Sequence, residues 1–161
     1  MCEYCGCRDL VTIADLTAEH DVLVNLSGRA CRALLAGDLH AAADLTRAMS
    51  TVLVPHTSVE EEALFPAMAA EFGDHVHDLL SEHRLIEGVL TESADGTPDD
   101  PTWPERLEHA LSVLREHIIK EQDGLFPAAL ATLDPTEWDH LEAVRLRVGS
   151  GVATTVGGGA R

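Results

Sequence analysis

The sequence predicts an all-α protein: an up-down-up-down four-helix bundle with a short fifth helix at the C-terminal end. Apolar residues recur at helical spacing in each long segment, and in the first they are Leu23, Leu26, Ala30 and Leu34. Ala and Leu are abundant, aromatic residues make up only 4% of the chain, and no segment shows the alternation of a strand. The 161 residues suit one domain with a single core.

Cap and turn residues delimit the first two helices. Thr17 is expected to cap the first helix, which ends at Gly37. Asp38 is expected to cap the second helix. Pro55 and Pro66 fall inside or at the end of this helix. Because proline cannot continue the helical hydrogen-bond ladder, a kink or a break is expected at each.

The third and fourth helices are separated by a loop rich in turn residues. The third helix is expected to begin near Asp74, after a glycine. Residues 95–101 contain Gly, Pro and Asp and are expected to form the loop. Thr102 and Glu105 match a capping box, which predicts a fourth helix that reaches Leu125.

The chain is expected to comprise three regions. Residues 1–15 form a cysteine-rich arm, and residues 16–148 form the bundle. Asp134-Pro135 opens the fifth helix, which is expected to cover one end of the bundle. Residues 149–161 have too few apolar side chains to order themselves and are expected to be a disordered tail.

The net charge of the chain is −17, which excludes two classes of partner. An acidic surface repels nucleic-acid phosphates and anionic lipid headgroups, so we expect neither nucleic acid nor membrane as a partner. The sequence has no secretory leader pattern and no apolar run that could cross a bilayer. Three of its four cysteines lie too close together for disulfide bonds between them to stabilise a fold. We therefore expect a cytoplasmic location.

A repeated pattern of histidine and glutamate is the main functional signal. A His-x-x-x-Glu segment followed by Leu-Phe-Pro occurs twice, and each copy is preceded by a Glu-His dipeptide on the helix before it. The repeat supplies six candidate metal ligands, which are His20, His56, Glu60, His83, His117 and Glu121. Nine histidines are also many for so acidic a chain. Each half of the chain thus comprises two helices that carry ligands.

Helix geometry predicts that these ligands meet at one depth in the bundle. Residues four apart lie on the same helix face. His20 lies roughly 24 Å from the end of the first helix, and His56 roughly 27 Å from the start of the second. His56 lies ten residues before Pro66, and His83 lies nine residues after Asp74. Four imidazoles and two carboxylates suit iron, manganese or zinc, and a metal removes the repulsion between buried carboxylates.

The order of these motifs resembles the hemerythrin-like, or HHE cation-binding, domain over about residues 16–133. The resemblance implies a non-haem centre of two iron ions joined by an oxo or hydroxo bridge. In it Glu60 and Glu121 bridge the two ions, and the four histidines are terminal ligands. Ferritin-like di-iron bundles use Glu-x-x-His instead, which this sequence lacks.

The chain departs from the oxygen-carrying hemerythrins beside His83. Those proteins have a further histidine one turn away, where this chain has Leu79 and Glu87. Glu87 could be a seventh ligand or an exposed helix residue. A missing imidazole opens a coordination position, which favours reactivity over oxygen storage. The histidines that match no motif are expected on the surface and are His40, His75, His77, His109 and His140.

The N-terminal arm holds a cluster of thiols. Cys2, Cys5 and Cys7 could form a redox-active or metal-binding arm, or an incidental cluster. A similar start is found in some actinobacterial hemerythrin-like proteins. Cys31 could complete a tetrahedral site, but we expect it to pack in the core. Whether Tyr4 approaches the metals is left open.

These features predict a di-iron protein that binds, reduces or oxidises a small molecule such as oxygen, nitric oxide or hydrogen peroxide. The corresponding role is a response to oxidative or nitrosative stress, and the activity could be peroxidase, catalase-like or NO-metabolising. Two alternatives are an iron or oxygen sensor that acts through a protein partner, and a biosynthetic oxygenase with an organic substrate. The sequence does not indicate the redox partner.

Overall fold

The computed structural model describes residues 11–152, which form helices and contain no strand. The helices are α1 (Val11–Leu35), α2 (Leu39–Val59), α3 (Phe65–Thr91), α4 (Trp103–Lys120), α5 (Phe126–Thr132) and α6 (Pro135–Val148). A first π-helical turn (Glu60–Leu64) joins α2 to α3, and a second (Glu121–Leu125) joins α4 to α5. Among the described residues no helix is both long enough and apolar enough to cross a bilayer. Cys2, Tyr4, Cys5 and Cys7 lie outside the described residues, as do residues 153–161.

Helix α1 begins earlier than the sequence pattern predicts. It starts at Val11, and Thr17 lies inside it, where its hydroxyl donates to the carbonyl of Ile13 at 2.8 Å. The prediction that Thr17 caps the helix is therefore wrong. A threonine side chain can bond back to its own helix as readily as it can cap one. The buried side chains of Ile13 and Leu16 extend the apolar face towards the N-terminus.

The turn between α1 and α2 confirms the predicted stop and start. Gly37 has a φ of +71°, and its N–H donates to the carbonyl of Leu34 at 3.0 Å. The N–H of Asp38 donates to the carbonyl of Ala33 at 2.9 Å. This left-handed glycine closes α1 in a Schellman-like arrangement. The Asp38 carboxylate then accepts the N–H of Ala41 at 2.9 Å and caps α2.

The prolines break the helices differently from the prediction. Pro55 lies inside α2, and the chain continues through Pro66 as helix. The break between the second and third predicted helices lies at Phe72, whose φ of −124° and ψ of +33° leave the helical region. Pro66 and Pro127 each follow a π-helical turn. Because a proline ring clashes with the carbonyl four residues before it, a wider turn at that carbonyl lets the helix continue.

The capping box predicted for the fourth helix is also wrong. The Thr102 hydroxyl donates to Oδ1 of Asp100 at 2.8 Å, and its side chain caps no N–H of α4. Helix α4 gives way to the second π-helical turn instead of reaching Leu125 as α-helix. A capping box does form at the start of α6, where Asp134 and Glu137 bond each other's backbone N–H.

The four long helices enclose a common core. Helix α1 packs along α2, and α3 packs along α4; α1 also contacts α4, and α2 contacts α3. Two apolar clusters fill the interior. On α1, Leu16 belongs to one cluster and Leu23 to the other, with His20 between them. On α3, His83 likewise lies between Leu79 of one cluster and Ile86 of the other, so the candidate ligands form a polar layer in an apolar core.

Helix α6 lies against α1, α2 and the first π-helical turn. Its buried side chains Leu141 and Val144 pack on the apolar cluster that contains Leu16. The chain turns at Gly149, which has a φ of +72°. It then passes so close to α2 that a Cβ on Gly151 would lie 2.2 Å from the carbonyl oxygen of Thr51. The first residues assigned to a disordered tail are thus packed on the bundle.

Candidate metal centre

All six candidate ligands from the repeat meet in the polar layer, and each is at most 2% exposed. Their donor atoms fall into two groups of four that share Glu60 and Glu121. The His20 group adds His20 and His56 to the two glutamates, and the His83 group adds His83 and His117.

The His20 group brings two imidazole nitrogens and two carboxylate oxygens together. The Nε2 atoms of His20 and His56 are 3.1 Å apart. Oε1 of Glu60 lies 3.1 Å from Nε2 of His56, and Oε2 of Glu121 lies 3.1 Å from Nε2 of His20. Two donors about 2.1 Å from one ion and at right angles to each other are about 3.0 Å apart, so these spacings suit a single cation.

The His83 group repeats this geometry with the other oxygen of each carboxylate. The Nε2 atoms of His83 and His117 are 3.0 Å apart. Oε2 of Glu60 lies 3.3 Å from Nε2 of His83, and Oε1 of Glu121 lies 3.0 Å from Nε2 of His117. Each glutamate thus directs one oxygen to each group, as a carboxylate that bridges two ions must.

The carboxylates of Glu60 and Glu121 lack hydrogen-bond donors among the described residues. All four of their oxygens are buried and have no hydrogen-bond partner within residues 11–152. Their nearest polar neighbours are the imidazole Nε2 atoms, which also face one another. A buried carboxylate without a partner is costly, and a cation in each group would remove that cost. The donors therefore fit two metal ions.

The histidines and glutamates of the site shift one another's pKa values. Burial opposes a charge on His56, but the carboxylates of Glu60 and Glu19 outweigh it and raise the pKa of His56 to about 10. Burial also opposes a charge on His117, yet the carboxylates of Glu121, Glu60 and Glu82 raise the pKa of His117 to about 9. Burial raises the pKa of Glu60, but the adjacent histidines hold that pKa well below its usual value. Without a metal, these imidazoles bind protons that an incoming cation must displace.

Each of the two glutamates shared by the groups is the first residue of a π-helical turn. The N–H of Phe65 donates to the carbonyl of Glu60, and the N–H of Phe126 donates to that of Glu121. Single π-helical turns inside helices are frequent at functional sites. The spacing pattern alone predicts ordinary α-helix here. The proline that follows each Leu-Phe pair is the signal in the sequence for the wider turn.

The same two phenylalanines stack on ligands of the opposite half. The ring of Phe126 lies parallel to that of His20 with centroids 5.5 Å apart, and Phe65 stacks on His83 at 5.3 Å. Both phenyl rings are buried. They cover the outer faces of two imidazoles and exclude water from them.

Two further glutamates, which the sequence reasoning did not single out, orient the ligands. Oε2 of Glu19 lies 2.8 Å from Nδ1 of His56, and Oε2 of Glu82 lies 2.8 Å from Nδ1 of His117. With Nδ1 donating to a carboxylate, Nε2 is left free for a metal, and the imidazole becomes a stronger donor. Each of these glutamates comes directly before the leading histidine of its half. The Glu-His dipeptide is thus the sequence signal for these supporting glutamates, but each glutamate bonds a histidine of the neighbouring helix and not the histidine beside it in the sequence.

The histidines at the start of the two halves have different partners. Nδ1 of His83 bonds Oε1 of Glu61 at 2.8 Å, and Arg84 pairs with the same carboxylate. Gln122 occupies the position of Glu61 in the second half. Nδ1 of His20 is buried and has no hydrogen-bond partner within the described part of the chain. The two groups therefore have the same types of donor, two imidazoles and two carboxylates, but differ in the partners of their histidines.

The remaining predicted residues lie outside both groups. The carboxylate of Glu87 accepts the hydroxyl of Thr57 at 2.8 Å and lines a surface cavity of 320 Å³ between α2 and α3. Cys31 is half-buried against the core, in agreement with the packing role predicted for it. His75 is half-buried, and the exposed histidines are His40, His77, His109 and His140.

Comparison with known families agrees with the geometry. The family model described as the hemerythrin HHE cation binding domain matches residues 11–129. The chain belongs to this family. No curated protein and no solved structure matched the chain. The hemerythrin match includes both halves of the repeat and ends before α6. The chain is thus a helical domain of the hemerythrin family whose buried His/Glu groups are compatible with metal binding.

Proposed function

We propose that this hemerythrin-family domain binds two iron ions, one in the His20 group and one in the His83 group. The observation that carries the proposal is the placement of Glu60 and Glu121, each with one buried, donor-free oxygen in each group. Mixed imidazole and carboxylate donors suit iron. The proposal includes the up-down-up-down order of the four long helices, which the close packing of α1 on α2 and of α3 on α4 supports.

The proposed function is to bind, reduce or oxidise oxygen, nitric oxide or hydrogen peroxide in an oxidative or nitrosative stress response in the cytoplasm. Each group offers four protein donors, which leaves coordination positions for a small molecule. Two bound iron ions supply the redox equivalents for such a reaction. The apolar clusters on both sides of the layer and the rings of Phe65 and Phe126 favour a small reactant over an organic one.

The side chains of this domain then have three roles. The four Nε2 atoms and the two carboxylates would hold the ions. Glu19, Glu61 and Glu82 each accept the Nδ1–H of one histidine and keep that ring in the orientation that presents Nε2. The two stacked phenylalanines keep water from the outer faces of the rings.

Metal analysis together with optical spectra tests the proposal. We expect two iron ions per chain after loading, and a spectral change of the reduced or oxidised protein with at least one of the three small molecules. A stoichiometry of one or zero would contradict the dinuclear site. An iron-loaded protein that neither binds nor turns over any of the three would contradict the redox function.

A second candidate function is an iron or oxygen sensor that acts through a partner. It is favoured by the contact of Ser150, after α6, with Glu19, because this contact links the C-terminal segment to a histidine of the site. A partner surface that changes on iron removal would support the sensor. Binding of any partner that is independent of iron would count against it.

A further inference from the structure

Two residues outside the segment that matches the hemerythrin family bond Glu19, the carboxylate that supports His56 of the metal centre. Arg145 in α6 is 8% exposed, and its two terminal nitrogens donate to Oε1 and Oε2 of Glu19 at 2.8 and 2.9 Å. The hydroxyl of Ser150 donates to Oε1 of Glu19 at 2.6 Å. Glu19 is fully buried and accepts Nδ1–H of His56 through Oε2. The family match ends at residue 129, so Arg145 and Ser150 lie outside it.

We propose that Arg145 and Ser150 are positioning residues of the metal centre, which act on its His20 group by holding Glu19 against His56. The inference rests on the proposed dinuclear iron site. It adds to that site a C-terminal element, α6 with the turn after it, that controls one of the two ions and not the other.

The geometry explains why an arginine performs this role. A guanidinium bonds both oxygens of a carboxylate at once, which fixes the plane of the carboxylate as well as its position. With the plane of Glu19 fixed, Oε2 stays directed at Nδ1 of His56. The imidazole is thereby held in the orientation that places its Nε2 3.1 Å from Nε2 of His20. Ser150 adds a third donor to the same carboxylate.

The position of Ser150 is itself built into the fold. Arg145 also donates to the carbonyl of Gly149 at 2.8 Å, which ties the turn after α6 to the same guanidinium. Gly151 then lies on α2 with no room for a Cβ beside the carbonyl of Thr51. A side chain at position 151 would lift the segment off α2 and carry the Ser150 hydroxyl away from Glu19.

Within residues 11–152, no such element contacts the His83 group. Its counterpart of Glu19 is Glu82, which is paired with Lys120 of α4, and both side chains are partly exposed to solvent. The bonds of Glu82 with His117 and with Lys120 do not involve α6. Changes in α6 should therefore affect only the ion of the His20 group.

The test uses the full-length protein loaded with ⁵⁷Fe, in the variants Arg145→Gln, Arg145→Lys, Ser150→Ala and Gly151→Ala. Arg147→Gln is the matched control, because Arg147 lies on the same helix but pairs with the exposed Glu62. Folding is checked by circular dichroism, iron affinity by competition with a chelator, and the two iron environments by Mössbauer spectroscopy.

We expect Arg145→Gln to lose about tenfold to hundredfold in affinity for one of the two ions and to change one of the two Mössbauer components. Arg145→Lys keeps the charge and should recover part of the loss. Ser150→Ala and Gly151→Ala should give smaller losses at the same ion, and Arg147→Gln should match the unaltered protein.

The outcomes separate the inference from the proposed function. If the unaltered protein and Arg147→Gln do not bind two iron ions, the proposed site fails and the inference fails with it. If they bind two ions and the Arg145 variants behave identically to them, only the inference is overturned. Should Arg145→Gln not fold, Ser150→Ala and Gly151→Ala decide: a change at one ion supports the inference, and no change or an equal change at both overturns it.

Discussion

The His20 and His83 groups have the same types of donor, but their histidines are supported in different ways. In the His83 group both histidines donate to a carboxylate, Glu61 for His83 and Glu82 for His117. The cations that pair with these carboxylates, Arg84 and Lys120, lie at the surface. Solvent screens such pairs, so they contribute little to stability.

In the His20 group only one histidine has such a partner in the described part of the chain. Glu19 supports His56, and its own partners Arg145 and Ser150 come from the C-terminal segment. Nδ1 of His20 has no hydrogen-bond partner within residues 11–152. A repeat therefore specifies the inner donors twice, while the surroundings of each copy depend on which other elements pack there.

Removal of a shared carboxylate should have the largest effect, because it affects both groups. We expect Glu121→Ala to lose both ions and to destabilise the fold by about 3–5 kcal/mol, since buried partners are left uncompensated. His56→Ala should instead lose mainly the ion of the His20 group. Metal analysis and denaturant unfolding measure both effects. His109→Ala, an exposed histidine on α4, is the control; full iron content in Glu121→Ala would refute its assignment as a ligand.

The stability of the metal-free protein should depend on pH through the histidines. The folded protein holds the pKa of His56 at about 10 and that of His117 at about 9, above the usual 6.5. The resulting stabilisation is complete below pH 6.5 and is lost as the pH rises through 9 to 10. We expect the free energy of unfolding to fall by a few kcal/mol over this range, at about 1.4 kcal/mol per pKa unit.

Metal binding should show the opposite dependence on pH. Because the cation displaces protons from these imidazoles, its affinity should rise from pH 6.5 to 9 with measurable proton release. Denaturant unfolding of the metal-free protein and metal titration at several pH values check the two trends. A metal-free protein that gains stability towards pH 10 would contradict the electrostatic account.

Replacement of Glu19 and replacement of Glu82 should have different effects on the free energy of unfolding. We expect Glu19→Gln and Glu82→Gln each to weaken metal binding about tenfold to hundredfold. Only Glu19→Gln should also lower the free energy of unfolding, by about 1–3 kcal/mol, because it leaves the buried charge of Arg145 uncompensated. Equal unfolding energies for the two variants would show that the burial of Glu19 does not matter.

The smallest expected effect comes from making the two groups more alike. Gln122→Glu places a carboxylate where the other half has Glu61, within the second π-helical turn. If this carboxylate accepts Nδ1–H of His20, the two iron environments should become more similar in Mössbauer spectra. Asp123→Asn, on the same turn but exposed, should leave them unchanged. Spectra that diverge further would contradict the comparison.

Much of this site follows from local sequence. The i, i+4 spacing puts His56 with Glu60 and His117 with Glu121 on one helix face, and matched helix lengths bring the pairs to one layer. The Gly37-Asp38 turn is equally local, because it depends only on a left-handed glycine and a short acceptor. Such features need no information from distant residues, and the sequence alone determined them.

Other features were decided only by the tertiary structure. Arg145 and Glu19 are 126 residues apart, and their contact depends on how α6 rotates and packs against α1. The same holds for Glu19 and Glu82, which act on neighbouring helices instead of on their own. The local pattern predicts that Thr102 caps α4, but in the folded loop its hydroxyl donates to Asp100 instead. Local spacing can place a donor on a helix face, but only the packing of whole helices decides which group it meets.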